Sequence, residues 1–198
     1  MAGVQIDGVN NKIDFDDDLD TSISANTDDT LVIEAGGNTM ATITATTLTI
    51  NDGTTITTAD NTDNLTLKST DTDANIGPNL RLYRAVAGAA SDAIGTIDWA
   101  AQDVAGNLQD YASAAVTITD ATDGSEDATL TLKVMNAGSL NQMLTISGPE
   151  TVVNEGSKDH DFRVESNGNA NMLMVNGGND RVGVGTASPA TALDVNGT

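Results

Sequence analysis

The feature that most constrains this chain is a period of two carried by residues too small to fill a core. In "ATITATTLTIN", Thr42, Thr44, Thr47 and Thr49 punctuate Ile43, Leu48 and Ile50. In "TLTLKV", Leu130, Leu132 and Val134 fall on one face. Such alternation sends apolar side chains to one side of a β-strand and polar ones to the other. Similar short runs are "TLVIEAGG", "NLTLKST", "NLRLYRA", "AVTITDA", "MLTISG", "DFRVES", "MLMVNG", "RVGVGT" and "ALDVNG", and turn residues bound them. They are predicted strands, with another at "GVQID". Longer strands are expected near 94–101, 109–119 and 128–135, joined by turns at "DVAGN" and "DATDGSED". The best helix candidate, "RAVAGAASDAIG", is interrupted by Gly88, so the fold class is all-β.

Composition decides how such strands can be stabilised. Aromatics are 3% of residues and the net charge is −21 at pH 7. Low bulk with high charge marks a chain that cannot bury enough apolar surface alone. Either it is largely disordered, or other copies of itself complete its core. The regular alternation favours the second. Without cysteine no disulfide can staple the fold, and oligomerisation is another staple.

The charge also excludes partners. Nucleic acid needs a basic stripe, whereas the eight Lys and Arg residues are scattered. Anionic membranes are disfavoured for the same reason, and the apolar runs are far short of a membrane span. The start, "MAGVQIDGVNNKIDF", has no basic stretch followed by an apolar run, so it does not read as a secretion signal.

A degenerate phrase recurs as "VIEAGGNTMATIT" (32–44), "KVMNAGSLNQMLTIS" (133–147) and "RVESNGNANMLMVN" (163–176). Each reads as strand, Gly-centred turn, Met, strand. Met40, Met143 and Met172 open the return strands as flexible apolar plugs. Composition divides the chain into four: an Asp- and Asn-rich attachment segment (1–29), a Thr-rich β shaft (30–77), a compact β-meander (78–148) and a hairpin-repeat shaft or joint (149–198).

"RVGVGTASPATALDVNGT" resembles the linker unit of phage tail fibres and tail spikes that precedes an endosialidase-type intramolecular chaperone domain. "IGTIDWAAQDVAGNLQDYASAAVTITDATDGSEDATLTLKVMNAGSLNQMLTISG" resembles a module of marine-phage fibre proteins, and "GVQIDGVNNKIDFDDDLDTSISANTDDTLVIEAGG" resembles the start of such proteins. The resemblance covers most of the chain. It implies a homotrimeric, elongated virion protein and carries no catalytic residues onto this sequence. The final Asn-Gly reads as a turn cut before its second strand, so the natural protein is expected to continue past Thr198.

Individual residues add little chemistry. His160 in "SKDHDF" reads as an exposed turn residue, and no second His or Cys is present for a zinc site of the usual type. "DFDDDLD" fails the EF-hand pattern, with Leu19 and Ala25 where Gly and Glu are required. "GGND" (177–180) occurs once, where the calcium nonapeptide works by stacking. Solvated acidic turns are therefore expected, with no metal and no cofactor. No Ser has an evident His partner, and the bulk for a glycosidase cleft is lacking, so no enzyme is expected. Trp99, near Tyr83 and Tyr111 in sequence, is expected to pack in the compact segment with its ring N–H satisfied. Arg81 and Arg84 are expected to pair with acidic groups of a neighbouring subunit.

The combined expectation is an elongated homotrimeric fibre of short strands and hairpins, interlaced as a β-prism or triple β-helix around a small β-meander. Met40, Met143, Met172, Met174, Leu130, Leu132, Val134 and Trp99 are the axis or core candidates. The role is a shaft on a virion, assembled in the host cytoplasm. Its N-terminus would join other virion proteins, and its distal part would present a region to a host receptor or glycan. Three alternatives stay open: a polysaccharide-binding or degrading spike, a capsid-attached fibre or decoration protein, and a cellular adhesin or filament subunit.

Overall fold

The computed structural model describes residues 4–15, 19–51, 53–59 and 62–196. The chain divides into two compact units, Met1–Asn79 and Leu80–Thr198. Fifteen strands are assigned among the described residues, and no helix. The all-β expectation therefore holds.

The first unit carries a six-stranded antiparallel meander: β1 (Gln5–Asp7), β2 (Lys12–Asp14), β3 (Ser22–Thr27), β4 (Thr30–Ala35), β5 (Asn38–Thr44) and β6 (Leu48–Ile50), neighbours in that order. The second unit carries a five-stranded sheet of β7 (Ala93–Gln102), β8 (Leu108–Asp120), β9 (Asp127–Asn136), β10 (Ser139–Ile146) and β11 (Thr151–Val153), again in chain order. It also carries a four-stranded sheet of β12 (Phe162–Val164), β13 (Leu173–Asn176), β14 (Arg181–Val184) and β15 (Leu193–Val195). The three long strands expected around 94–135 are present, with the two predicted turns between them. Sequential pairing through short turns suits a chain with frequent Gly, Asn and Asp, because these residues reverse direction at low steric cost.

All three copies of the recurring phrase are antiparallel hairpins. The first two share more than a hairpin. Register skips Met40 between the pairs Glu34–Thr39 and Ile33–Ala41. It skips Met143 between Lys133–Gln142 and Leu132–Leu144. Each Met is thus the extra residue of a β-bulge, a device that twists and bends its strand. The Met40 carbonyl accepts the Asn51 N–H at 3.1 Å, and the Met143 carbonyl accepts the Asn154 N–H at 2.9 Å. Thr44 N–H donates to Thr47 O and Ser147 N–H to Glu150 O, both at 2.9 Å. The unit β4–β5–β6 therefore recurs, bond for bond in its last two strands, as β9–β10–β11. In the third copy Met172 lies just before β13, and it is the Asn171 carbonyl that accepts a bond, from Gly185.

The expected strands at "NLTLKST" and "NLRLYRA" are absent. Among the described residues of 51–92 no strand is assigned. A strand needs a ladder partner for its N–H and C=O groups, and these runs find none among the described residues. Part of this stretch packs on the five-stranded sheet: a Cβ on Gly95 would lie 3.2 Å from Leu82, and one on Gly88 would lie 3.0 Å from Ile118 Cδ1.

The last pair, β14–β15, is parallel. Parallel neighbours ordinarily need a long crossover, but here residues 185–192 make the connection as a tight clasp. Val182 N–H donates to Ala192 O at 2.9 Å and Asn196 N–H to Val184 O at 2.8 Å. Arg181 Nη1 donates to the Pro189 carbonyl at 2.9 Å, and the Ala190 N–H donates to Asp194 Oδ2 at 2.9 Å.

Candidate assembly interface

Register assigns every strand residue to a face, and in each sheet one face is almost wholly apolar. In the six-stranded sheet a single row crosses all strands: Ile6, Ile13, Ile23, Ile33, Ala41 and Ile50. A second row, Leu31, Ile43 and Leu48, lies beside it. The opposite face is polar. There Lys12 Nζ meets Asp14 Oδ1 at 2.7 Å, and Ser22 Oγ donates to Glu34 Oε2 at 2.9 Å.

The five-stranded sheet repeats the arrangement. One row reads Ile97, Ala114, Leu132, Leu144, Val153, and its neighbour reads Gly95, Val116, Leu130, Ile146, Thr151. Trp99, Ala112 and Val134 continue the same face. The reverse side carries Thr96, Ala115, Thr131, Thr145 and, further along, Asp98, Ser113, Lys133 and Gln142. In the four-stranded sheet the apolar row is Phe162, Val175, Val182, Leu193.

Among the described residues no second sheet covers these faces; on the five-stranded sheet only one end is covered, where Leu82 lies against Gly95 and Gly88 against Ile118. Ile6 is 79% exposed, Ile50 47%, Trp99 56% and Val134 46%. Among the larger apolar side chains described, Met174 alone is buried, at 7% exposure. A half-apolar sheet normally packs its apolar side on another layer. Covering one Leu, Ile or Val side chain fully is worth about 1.5–3 kcal/mol.

The structure brings together four of the residues singled out in the sequence: Leu130, Leu132, Val134 and Trp99 share the apolar face of the five-stranded sheet. Trp99 is not packed as expected. Its strand, β7, is at the edge, and its side chain is 56% exposed. Met40 and Met143 occupy equivalent bulges, and Met172 is exposed. Met174 is a core residue of the single chain, at 7% exposure. It pairs with Gly183, on the side of its sheet opposite Phe162 and Val175. That side is closed by the clasp, where a Cβ on Gly183 would lie 3.6 Å from Pro189 Cβ. Arg84 departs from expectation, since it pairs within the chain, with Asp92 at 3.1 Å. Arg81 is exposed. The isoleucine row was missed by sequence reasoning, because "KID" and "SIS" are too short to display a period. Its signal was the recurrence of Ile at the centre of consecutive polar triplets.

The acidic side chains do local work. Asp103 accepts the Ala105 N–H at 2.8 Å and the Asn107 N–H at 2.9 Å, which closes the β7–β8 turn. The Asn107 backbone N–H, then its side chain, hold this carboxyl below its ordinary 3.8. Asp7 is lowered first by the Asn10 side chain, and Asp120 first by the Thr122 side chain. A lowered folded-state value means the contribution is complete above the unfolded value and is lost as pH falls through the folded one. Acidification below 3.8 should therefore loosen the β7–β8 turn. Protection of the Asn107 amide, taken relative to its intrinsic exchange rate at each pH, should fall there, and Asp103→Asn should flatten that dependence. His160 is exposed, as expected, in the segment between β11 and β12. Residues 16–18 of "DFDDDLD" and the terminal Gly197-Thr198 lie outside the described residues. Among the described residues no three His, Cys, Asp or Glu side chains stand close enough to hold a metal ion, and no helix is long and apolar enough to cross a membrane. No protein-family model, curated protein or solved structure matches the chain.

Proposed function

We propose that this chain is a shaft segment of a virion appendage, a phage tail fibre, in which three copies cover one another's apolar faces. The observation that carries the reading is the largely exposed apolar side of each described sheet. The chain exposes 14518 Å². A compact protein of its mass exposes about 8,800 Å², or about 10,500 Å² if the two units are counted as separate bodies. The excess is larger than the roughly 800 Å² each partner contributes to a standard interface, and the described residues of 51–91, exposed throughout, share it with the open sheet faces.

Other copies of the same chain are the occupants that fit. Strands with unpaired edges and one sticky face invite aggregation unless something closes them, and threefold closure removes both liabilities within a finite assembly. The opposite faces already carry their own polar contacts, with Asp14, Ser22 and Ser113 buried in the single chain. Such a shaft is mechanical. It joins other virion proteins at one end and presents a host-recognition region at the other.

The charge gives the assembly a salt dependence. Each copy carries −21, so self-repulsion opposes association and ions relieve it. The assembled fraction should rise between roughly 10 mM and 150 mM salt, as the Debye length shrinks from about 30 Å to about 8 Å. Sedimentation velocity at the two salt levels reads this directly. The virion assignment has its own test. Antibody raised against the chain should label extended appendages on purified phage particles in electron micrographs; label found only on host cell surfaces would refute it.

A further inference from the structure

Two Asn-Gly pairs are fully described, and the fold treats them oppositely. Asn176-Gly177 is locked. Asn176 Oδ1 accepts the Asn179 backbone N–H at 2.8 Å and its side-chain amide at 2.9 Å. The Gly177 N–H donates to Asp161 Oδ1 at 3.0 Å. A Cβ on Gly177 would lie 2.5 Å from the His160 carbonyl oxygen, so the pair is pressed against the neighbouring loop.

Asn167-Gly168 is free. It lies at the tip of the β12–β13 hairpin, inside a turn closed on either side by Ser166 N–H to Asn169 O at 2.8 Å and Asn169 N–H to Ser166 Oγ at 3.1 Å. Both residues are exposed. Neither the Asn167 side chain nor the Gly168 N–H is bonded among the described residues, and nothing lies within 4 Å of a Cβ built on Gly168.

We infer that Asn167 is a site of spontaneous deamidation, a covalent modification that the fold permits there and suppresses at Asn176. The Gly168 backbone nitrogen gives up its proton to solvent base and bonds to Cγ of Asn167. The Cγ–Nδ2 bond breaks and ammonia leaves, closing a five-membered imide. Water then opens the imide at either carbonyl, giving Asp or isoAsp. One water is consumed, one ammonia is released, and no oxidant or reductant takes part. Each event adds a negative charge at the hairpin tip, and the isoAsp product lengthens the turn backbone.

The reaction needs a free backbone N–H and a side chain able to swing onto it. At Asn176 both must first be released. The intact protein is incubated at mildly alkaline pH and body temperature, with and without urea, and digested with trypsin. Cleavage after Arg163 and Arg181 places both sites in one peptide, residues 164–181, and fragment masses report each separately. Freeing a hydrogen bond to a charged group sets the expected contrast: in folded protein, residue 167 converts at least about tenfold faster than residue 176. In urea the two rates converge. Asn167→Gln abolishes the fast conversion, and Asp161→Ala speeds conversion at Asn176. Equal rates in the folded protein, or no conversion at residue 167, would overturn the inference.

Discussion

Replacing Leu132 with Glu should reduce the sedimenting mass of the chain from three copies to one. Leu132 is the middle of the row Ile97, Ala114, Leu132, Leu144, Val153, and it is 36% exposed in a single chain. A carboxylate there faces water in the monomer and loses it in the assembly. An uncompensated charge in a buried interface costs about 3–5 kcal/mol, which is a hundredfold or more in affinity for each copy. The control is one residue away. Thr131 lies on the reverse face, in line with Thr96, Ala115 and Thr145. Thr131→Glu should leave the mass unchanged, with some loss of stability because Thr131 is half-buried opposite Thr145. Because the pair differs in face and hardly in position, a general loss of folding would affect both variants alike. Equal behaviour of the two would place the interface elsewhere.

Gly185→Ala should open the clasp between β14 and β15. Gly185 has φ +76, and a Cβ there would lie 2.5 Å from the Asn196 carbonyl oxygen. The left-handed conformation costs an ordinary residue about 1–2 kcal/mol, and the clash requires the parallel pair to move apart. Losing the ladder would release the Val182 and Asn196 amides, whose bonds to Ala192 and Val184 tie the clasp. Hydrogen exchange at these two amides should accelerate by more than tenfold, since 1.4 kcal/mol corresponds to a factor of ten. Gly168→Ala is the counterpart. It meets open space, and restricting the unfolded chain there should be neutral or stabilising by up to about 1 kcal/mol.

Strand identity was legible wherever period two ran long enough. The meander from Ala93 to Asn136 and the hairpins around Met40, Met143 and Met172 follow from alternation and turn chemistry alone. So does the shared face of Leu130, Leu132 and Val134. What alternation could not reveal was whether a run finds a partner. "NLTLKST" and "NLRLYRA" carry the same local signal as "TLTLKV", yet among the described residues neither forms a ladder with a neighbouring strand. Pairing is a long-range property, and local propensity is silent about it. The bulges were hidden for a related reason. A Met after a Gly turn looks like an apolar plug, but its role as the skipped residue depends on the register of the opposite strand. Met174 shows the same limit. Its alternation with Leu173 and Val175 puts it on the side opposite the exposed apolar row, where the clasp covers it. That clasp could not be anticipated, because a parallel pair joined by so short a loop violates the usual crossover length.

The account rests on the apolar faces being covered by other copies of the chain. Sedimentation equilibrium at physiological salt measures this most directly. The account predicts a single species of about 60.6 kDa, three times the 20.2 kDa of one chain, persisting on dilution. A stable species of 20.2 kDa that leaves its apolar faces open to water would contradict it.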